Sequence, residues 1–314
     1  MQSNLAFKLD INKRKILNSY DPTHTTTLRN MFVREMNRRF NRLIKAINQA
    51  IVDRDCFGLK RIGGYAAPFN RAFNFPRSQD KVSAFMDWLD KQVKEDLLEI
   101  RKEQQLGQAI EQAWTNTYIH SAYQKGVLKA RGELKAEGYD IPDIDEQGGI
   151  GAVLNGPIHA DRLGLLFTRT YSGLKGITDA MDSQISQVLA MGIADGKYPI
   201  ELAKMLNKTI TGMGEDLGIT DALGRFIPAK RRAEMLARTE IIRAHNQAIL
   251  QEAKNWGIEG VHVIAEVVTA GWNVCPQCQR LEGKTFSIDE AWNLLPAHVN
   301  CRCSFVMNEI NKEV

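Results

Sequence analysis

A chain of 314 residues, 44% hydrophobic and 25% charged, has an ordinary globular composition and is long enough for two domains. No apolar run approaches the roughly 20 residues of a membrane-spanning helix, which excludes an integral helical membrane protein. The net charge of +4 is uneven: residues 1–81 hold 16 of the 41 basic and 6 of the 37 acidic side chains, a net of +10, which leaves −6 for the rest. Such a segment favours an acidic partner, a protein surface or nucleic acid, although for any single arginine a solvated helix face is the plain alternative.

The opening MQSNLAFKLDINKRK places its basic cluster after a short apolar stretch, the reverse of a secretory signal, so synthesis and residence in a reducing cytoplasm are expected. From Asp21 to about Asp53, Leu28, Phe32, Met36, Phe40, Leu43, Ile47 and Ile51 step by four and three, which predicts one helix with a buried stripe and a basic face. Thr25, Thr26 and Thr27 offer caps for it. Residues 56–80 change character. Gly58, Gly63, Gly64, Pro68 and Pro76 interrupt regular structure, while Phe69, Phe73 and Phe75 alternate with Arg71 and Arg77. An aromatic-basic arm of this kind fits a groove, its own or a partner's.

Two long helices are expected next, over Ser78 to about Lys102 and roughly 107–137, then a Gly/Pro/Asp-rich hinge from Gly138 to Pro157. A near-heptad run from Leu163 to Val188 predicts a helix that Asp195-Gly196 ends. Pro199 opens another through about Ile210, and a second glycine-rich loop spans Gly212 to Phe226. From Pro228 to about Trp256 a helix presents the small face Ala233, Ala237, Ile241, Ala244 and Ala248, suited to close approach by a neighbouring backbone. Residues 261–268 read as a strand. The fold class is thus mainly α with a small α+β C-terminal module. Its expected divisions are 1–81 (basic helix and arm), 82–157 (long helices and hinge) and 158–314, the last ending in a module at about 261–307.

Four of the five cysteines lie in that module, as Cys275-Pro-Gln-Cys278 and His298-Val-Asn-Cys301-Arg-Cys303. Two close pairs of soft ligands separated by a loop suit a tetrahedral zinc ion. Cys275, Cys278, His298 and Cys301 make the set, with Cys303 as the alternate. Two disulfides are the rival reading, disfavoured by a reducing compartment and the unpaired Cys56. Four protein ligands saturate a structural zinc, whereas a catalytic one keeps a position open. The chain lacks the His-x-Glu of zinc deaminases, HExxH, a Walker motif, a Rossmann fingerprint and a nucleophile elbow.

Ala237-Arg238-Thr239-Glu240, Gly257, the strand, Val274 to Cys278, Glu282-Gly283-Lys284-Thr285-Phe286 and His298 to Cys303 together resemble the C-terminal domain of phage head morphogenesis proteins. These are the minor head proteins of the Mu-F type, and the resemblance covers roughly residues 160–307. It departs from the usual pattern at Val299, where proline is common, and at Glu282, where aspartate is usual; neither change removes a ligand. The resemblance implies a non-enzymatic minor virion component of the head near the portal vertex, with a part in packaging or ejection. Its partners would be the portal protein, the major capsid protein and packaged DNA, with no membrane and no small-molecule substrate. Arg38, Arg39, Arg42, Phe69, Phe73 and Phe75 are the candidate partner contacts. Arg238-Thr239-Glu240 is expected to tie its helix to the zinc module. A nucleic-acid-binding protein contacting the packaged genome, and a zinc-dependent hydrolase or toxin domain, are the rival readings.

Overall fold

The computed structural model describes residues 21–62, 65–66, 78–105, 108–212, 227–257, 263–271 and 273–309. In chain order the elements are α1 (Thr26–Asn48, continued by a π turn at Gln49–Asp53), β1 (Arg61–Ile62), β2 (Tyr65–Ala66), α2 (Ser78–Asp96), β3 (Ile100–Gln105), β4 (Gln108–Ala113), α3 (Asn116–Ala136) and α4 (Ile150–Leu154). They continue with α5 (Pro157–Ala194), α6 (Pro199–Thr211), α7 (Ala229–Gly257), β5 (Val263–Val268), α8 (Pro276–Gln279), β6 (Thr285–Phe286), α9 (Ile288–Ala291) and β7 (Ser304–Glu309). The protein is mainly helical with a small C-terminal strand module, the class that the periodicity predicts. Its described residues divide into two compact units, one of 21–31, 117–167 and 238–309, the other of 32–116 and 168–237. Both are discontinuous in sequence, whereas the expected divisions are contiguous.

In the second unit, the stripe of α1 forms a core: Phe32, Met36, Phe40, Leu43, Ile47 and Ile51 are buried, as are Phe85, Leu89 and Val93 of α2. Phe32 meets Trp114 edge-on at 5.5 Å between ring centroids, and the Trp114 indole donates to the Leu97 carbonyl at 2.9 Å. The helix expected to reach Lys102 stops at Asp96, and the next begins only at Asn116. Between them β3 and β4 form an antiparallel hairpin with Gln105 opposite Gln108. The Gln/Glu/Lys-rich sequence has good helix propensity, a weak prior that tertiary context overrides. Here Leu97 and Trp114 are both buried, fixing the hairpin's two ends. Gly192 of α5 faces Leu202 of α6, where a Cβ would come within 2.5 Å of a leucine methyl. The turn between them runs through Gly196 at φ +66° and enters α6 at Pro199, as the sequence predicts.

In the first unit, α7 is the central support. Its residues Ile241, Ala244 and Ala248 are buried there, and Gly126 of α3 packs where any Cβ would strike the His245 carbonyl and the Ala248 methyl. The start of α1 is capped by Asp21 rather than by a threonine alone: its carboxylate accepts from the Thr23 and Thr26 backbone N–H groups at 3.1 and 2.6 Å and from both hydroxyls. The three strands form an antiparallel sheet in the order β6-β5-β7, with Ala265 opposite both Phe286 and Met307.

The outer edge of β7 is satisfied by side chains. Asn246, wholly buried on α7, donates to the Cys303 carbonyl and accepts from the Phe305 N–H at 3.0 and 3.2 Å. Lys129 of α3 donates to the Phe305 carbonyl at 2.5 Å, and Glu133 accepts from the Met307 N–H at 3.1 Å. An edge that would otherwise offer unpaired backbone groups is thereby closed.

Candidate metal centre

The loops that carry the five donors hang from α7 and the sheet. Cys275 caps α8, its sulfur accepting from the Cys278 N–H, so both thiols of the pair sit on one tight turn. Gln277 donates to the Ala297 carbonyl at 3.0 Å, tying the first ligand loop to the second. Thr239 accepts from the Asn300 N–H at 3.2 Å, so the Arg-Thr-Glu segment of α7 does reach the ligand loop, as expected. Asn300 takes φ +62°, a left-handed conformation that asparagine tolerates. Between the loops, α9 is closed by a capping box of Ser287 and Glu290, and Trp292 just beyond it stacks on the Arg162 guanidinium at 4.4 Å.

The donors form two overlapping groups, Cys275–Cys278–His298 and Cys278–Cys301–Cys303, each with its ligand atoms within 4.8 Å of one another. Cys278 belongs to both. His298 Nε2 lies 3.1 Å from the sulfurs of Cys275 and Cys278, and Cys278 Sγ lies 3.8 Å from Cys301 Sγ. Zinc about 2.3 Å from each of two sulfurs in a tetrahedron separates them by about 3.8 Å. Nδ1 of His298 lies 2.7 Å from the Val299 carbonyl. A proton there leaves the Nε2 lone pair facing the thiols, the orientation a histidine ligand needs.

Cys278, Cys301 and Cys303 are buried in a core with Ile249, Ala253, Trp256, Leu295 and Phe305. Burial, then the neighbouring Cys301 charge, pushes the Cys278 thiol up to about 12. The neighbouring Cys303 thiol holds Cys301 down to about 5, and Cys301 together with burial pushes Cys303 above the ordinary thiol range. Of these two thiols, Cys301 is thus the better thiolate. The donor set is soft, convergent and largely dry, and it fits zinc. The fifth cysteine, Cys56, is buried in the second unit, and burial raises its thiol to about 12.

Residues 183–306 match the family described as Phage Mu protein F like protein. This segment of the chain is Mu-F-like. The match begins within α5, takes in α6, α7 and all five donors, and ends on β7. It bears out the resemblance over that segment. No curated protein and no solved structure matches the chain.

The candidate partner residues fare differently. Phe69, Phe73 and Phe75 lie outside the described residues. Arg38 and Arg42 are exposed on α1, paired with Glu35 and Asp96 at 2.7 and 2.8 Å. With Arg34, Asn37, Asn41 and Lys45 they line an open groove of about 470 Å³. Arg39 corrects the expectation, because its side chain is 1% exposed and turned inward. Its guanidinium stacks on Trp114 at 4.1 Å and bonds Glu35, Glu99 and the Asp96 carbonyl. An arginine at that position on α1 is indistinguishable by sequence from its exposed neighbours.

Residue spacing also missed a buried polar network in the first unit. Glu252, fully buried on α7, pairs with Arg131 at 2.6 Å and His159 at 2.9 Å and accepts from the Trp256 indole at 2.7 Å. His159 in turn meets the Tyr123 hydroxyl at 3.0 Å. Burial alone raises the Glu252 carboxyl, but the His159 bond, the Arg131 charge and the Trp256 bond together hold it below its ordinary value. Only Glu252 and Trp256 are close in sequence.

Proposed function

We propose that this chain is a non-enzymatic minor head protein of a tailed phage. Its domain of about 158–314 is clasped by one structural zinc, and the chain associates with the portal vertex during head assembly. The observation that carries the reading is that the Mu-F-like segment includes the whole donor set. Cys275, Cys278, His298 and Cys301 are the proposed ligands, with Cys303 as the alternate. Four protein ligands leave no coordination position for a water nucleophile, which argues for a clasp over a hydrolase. The metal's contribution is folding energy.

Arg38 and Arg42 on the exposed face of α1, together with Phe69, Phe73 and Phe75, are the proposed contacts to portal or capsid; Arg39 leaves this set because it is enclosed. The test is co-purification with portal from infected cells, comparing wild type with a deletion of residues 1–81. Loss of the deletion variant from heads supports the assignment, and normal incorporation places the contact elsewhere. The basic groove on α1 also favours a second reading, contact with packaged DNA. That reading requires binding that weakens steeply with salt, whereas the portal reading requires association that tolerates it.

A further inference from the structure

The first unit contains a cleft that neither the clasp nor the basic face of α1 uses. Its volume is about 350 Å³, and its lining includes Arg131, Gln147, Val153, Pro157, Asn255 and Trp256. Hydrogen-bond donors and apolar walls occupy it together. Arg131 has a side chain only 5% exposed; its Nε is spent on Glu252 and its Nη1 on the Pro142 carbonyl at 3.4 Å. Nη2 has no partner among the described residues. Also at the lining, Ile158 and His159 stand in the first turn of α5, where backbone N–H groups have no helical acceptor. That turn holds no acidic side chain, so the positive end of this 38-residue helix is uncompensated by its own residues.

Glu252 is fully buried, so it neutralises Arg131 without presenting an acceptor to a ligand. One remaining guanidinium nitrogen and two backbone N–H groups suit a single carboxylate. A phosphate dianion would find only one guanidinium, already paired. Trp256, Pro157 and Val153 suit an apolar body, and the Gln147 and Asn255 amides can each donate and accept, as a peptide group requires.

We propose that this cleft captures the C-terminal residue of a partner polypeptide. Its carboxylate lies on Arg131 and the first turn of α5, its apolar side chain lies on Trp256 and Pro157, and its last peptide group meets the two amides. Terminal-carboxylate capture by backbone N–H groups is a recurring recognition mode.

The probe is N-acetylphenylalanine, titrated into the full chain while the Trp256 indole N–H resonance is followed by NMR. N-acetylphenylalaninamide and 3-phenylpropionate are the controls. Since Arg131 belongs to a buried ion pair, the blocking variant is Ala152→Phe, on an exposed residue of the lining. The acid should bind saturably and at least about tenfold more tightly than the amide, the worth of a charge-assisted hydrogen bond. Ala152→Phe should abolish binding with an unchanged melting temperature. Equal binding of acid and amide, no saturable shift with the acid, or wild-type affinity in Ala152→Phe would overturn the proposal. Equal affinity for 3-phenylpropionate would overturn the polypeptide terminus in favour of a free acid.

Discussion

The ligand loops at 275–303 and helix α1 solve the same problem, holding a surface in shape, by opposite means. Residues 276, 277, 279, 280, 282–285, 289, 290 and 293 are exposed, and Leu281, Phe286, Ile288, Trp292, Leu294 and Ala297 are only partly buried against the core, so the loops lean on a handful of convergent donors. Helix α1 spends six large side chains on the core of its unit and leaves Arg34, Arg38, Arg42 and Lys45 outside. One arrangement is all-or-none, because losing a single ligand removes the reason for the rest to converge. The other is graded, because each apolar contact adds its own increment.

The sharpest way to break this contrast is to remove the donor common to both groups. Cys278→Ser should lose the metal and unfold the loops and the small sheet, since structural zinc contributes on the order of 10 kcal/mol in small modules. Zinc content and the thermal melt check this, and a variant that keeps its melting temperature contradicts the clasp. Next in size is Glu252→Gln, which leaves the Arg131 charge buried without its carboxylate and should cost about 3 kcal/mol in urea denaturation.

Phe40→Ala should cost about 3 kcal/mol as well, but it should leave the zinc content intact. That dissociation of stability from metal content is what separates the two kinds of region.

A smaller effect is set by pH. Burial raises the Asp21 carboxyl, but the Thr23 and Thr26 hydrogen bonds and the Arg29 charge outweigh it and hold the group at about 2. Its folded value is below the unfolded one of about 3.9, so its stabilisation is complete above about pH 4 to 5 and is lost as pH falls through about 2. Asp21→Asn should cost about 2 kcal/mol near neutrality, with the difference from wild type vanishing in acid denaturation near pH 2. Smallest of all, Arg38→Glu with Arg42→Glu should change stability by under about 1 kcal/mol, because both pairs are exposed. Incorporation into heads should fall nonetheless if this face meets an acidic partner.

What the sequence made legible follows the same division. The helix stripe of α1, the small face of α7 and the two ligand pairs are periodic or closely spaced; the structure buries the first two and brings the donors together in two overlapping groups. Features assembled from distant residues were not legible. The β3–β4 hairpin is written in residues that also favour helix, and its ends are set by Leu97 and Trp114. Strand β7 depends on Asn246, Lys129 and Glu133 for its outer edge, none of them near it in sequence. Arg39 differs from Arg38 only in meeting Trp114 and Glu99, and Tyr123, Arg131, His159 and Glu252 converge from three helices. Asp21 stands five residues before the N–H it caps, farther than the threonines that the sequence offers.

The central claim is the clasp, and metal analysis of the full chain purified under reducing conditions tests it most directly. One zinc per chain, with Cys275, Cys278 and Cys301 protected from thiol reagents until a chelator is added, is the predicted result. Absence of zinc, with Cys275–Cys278 or Cys301–Cys303 oxidised to a disulfide, would contradict it.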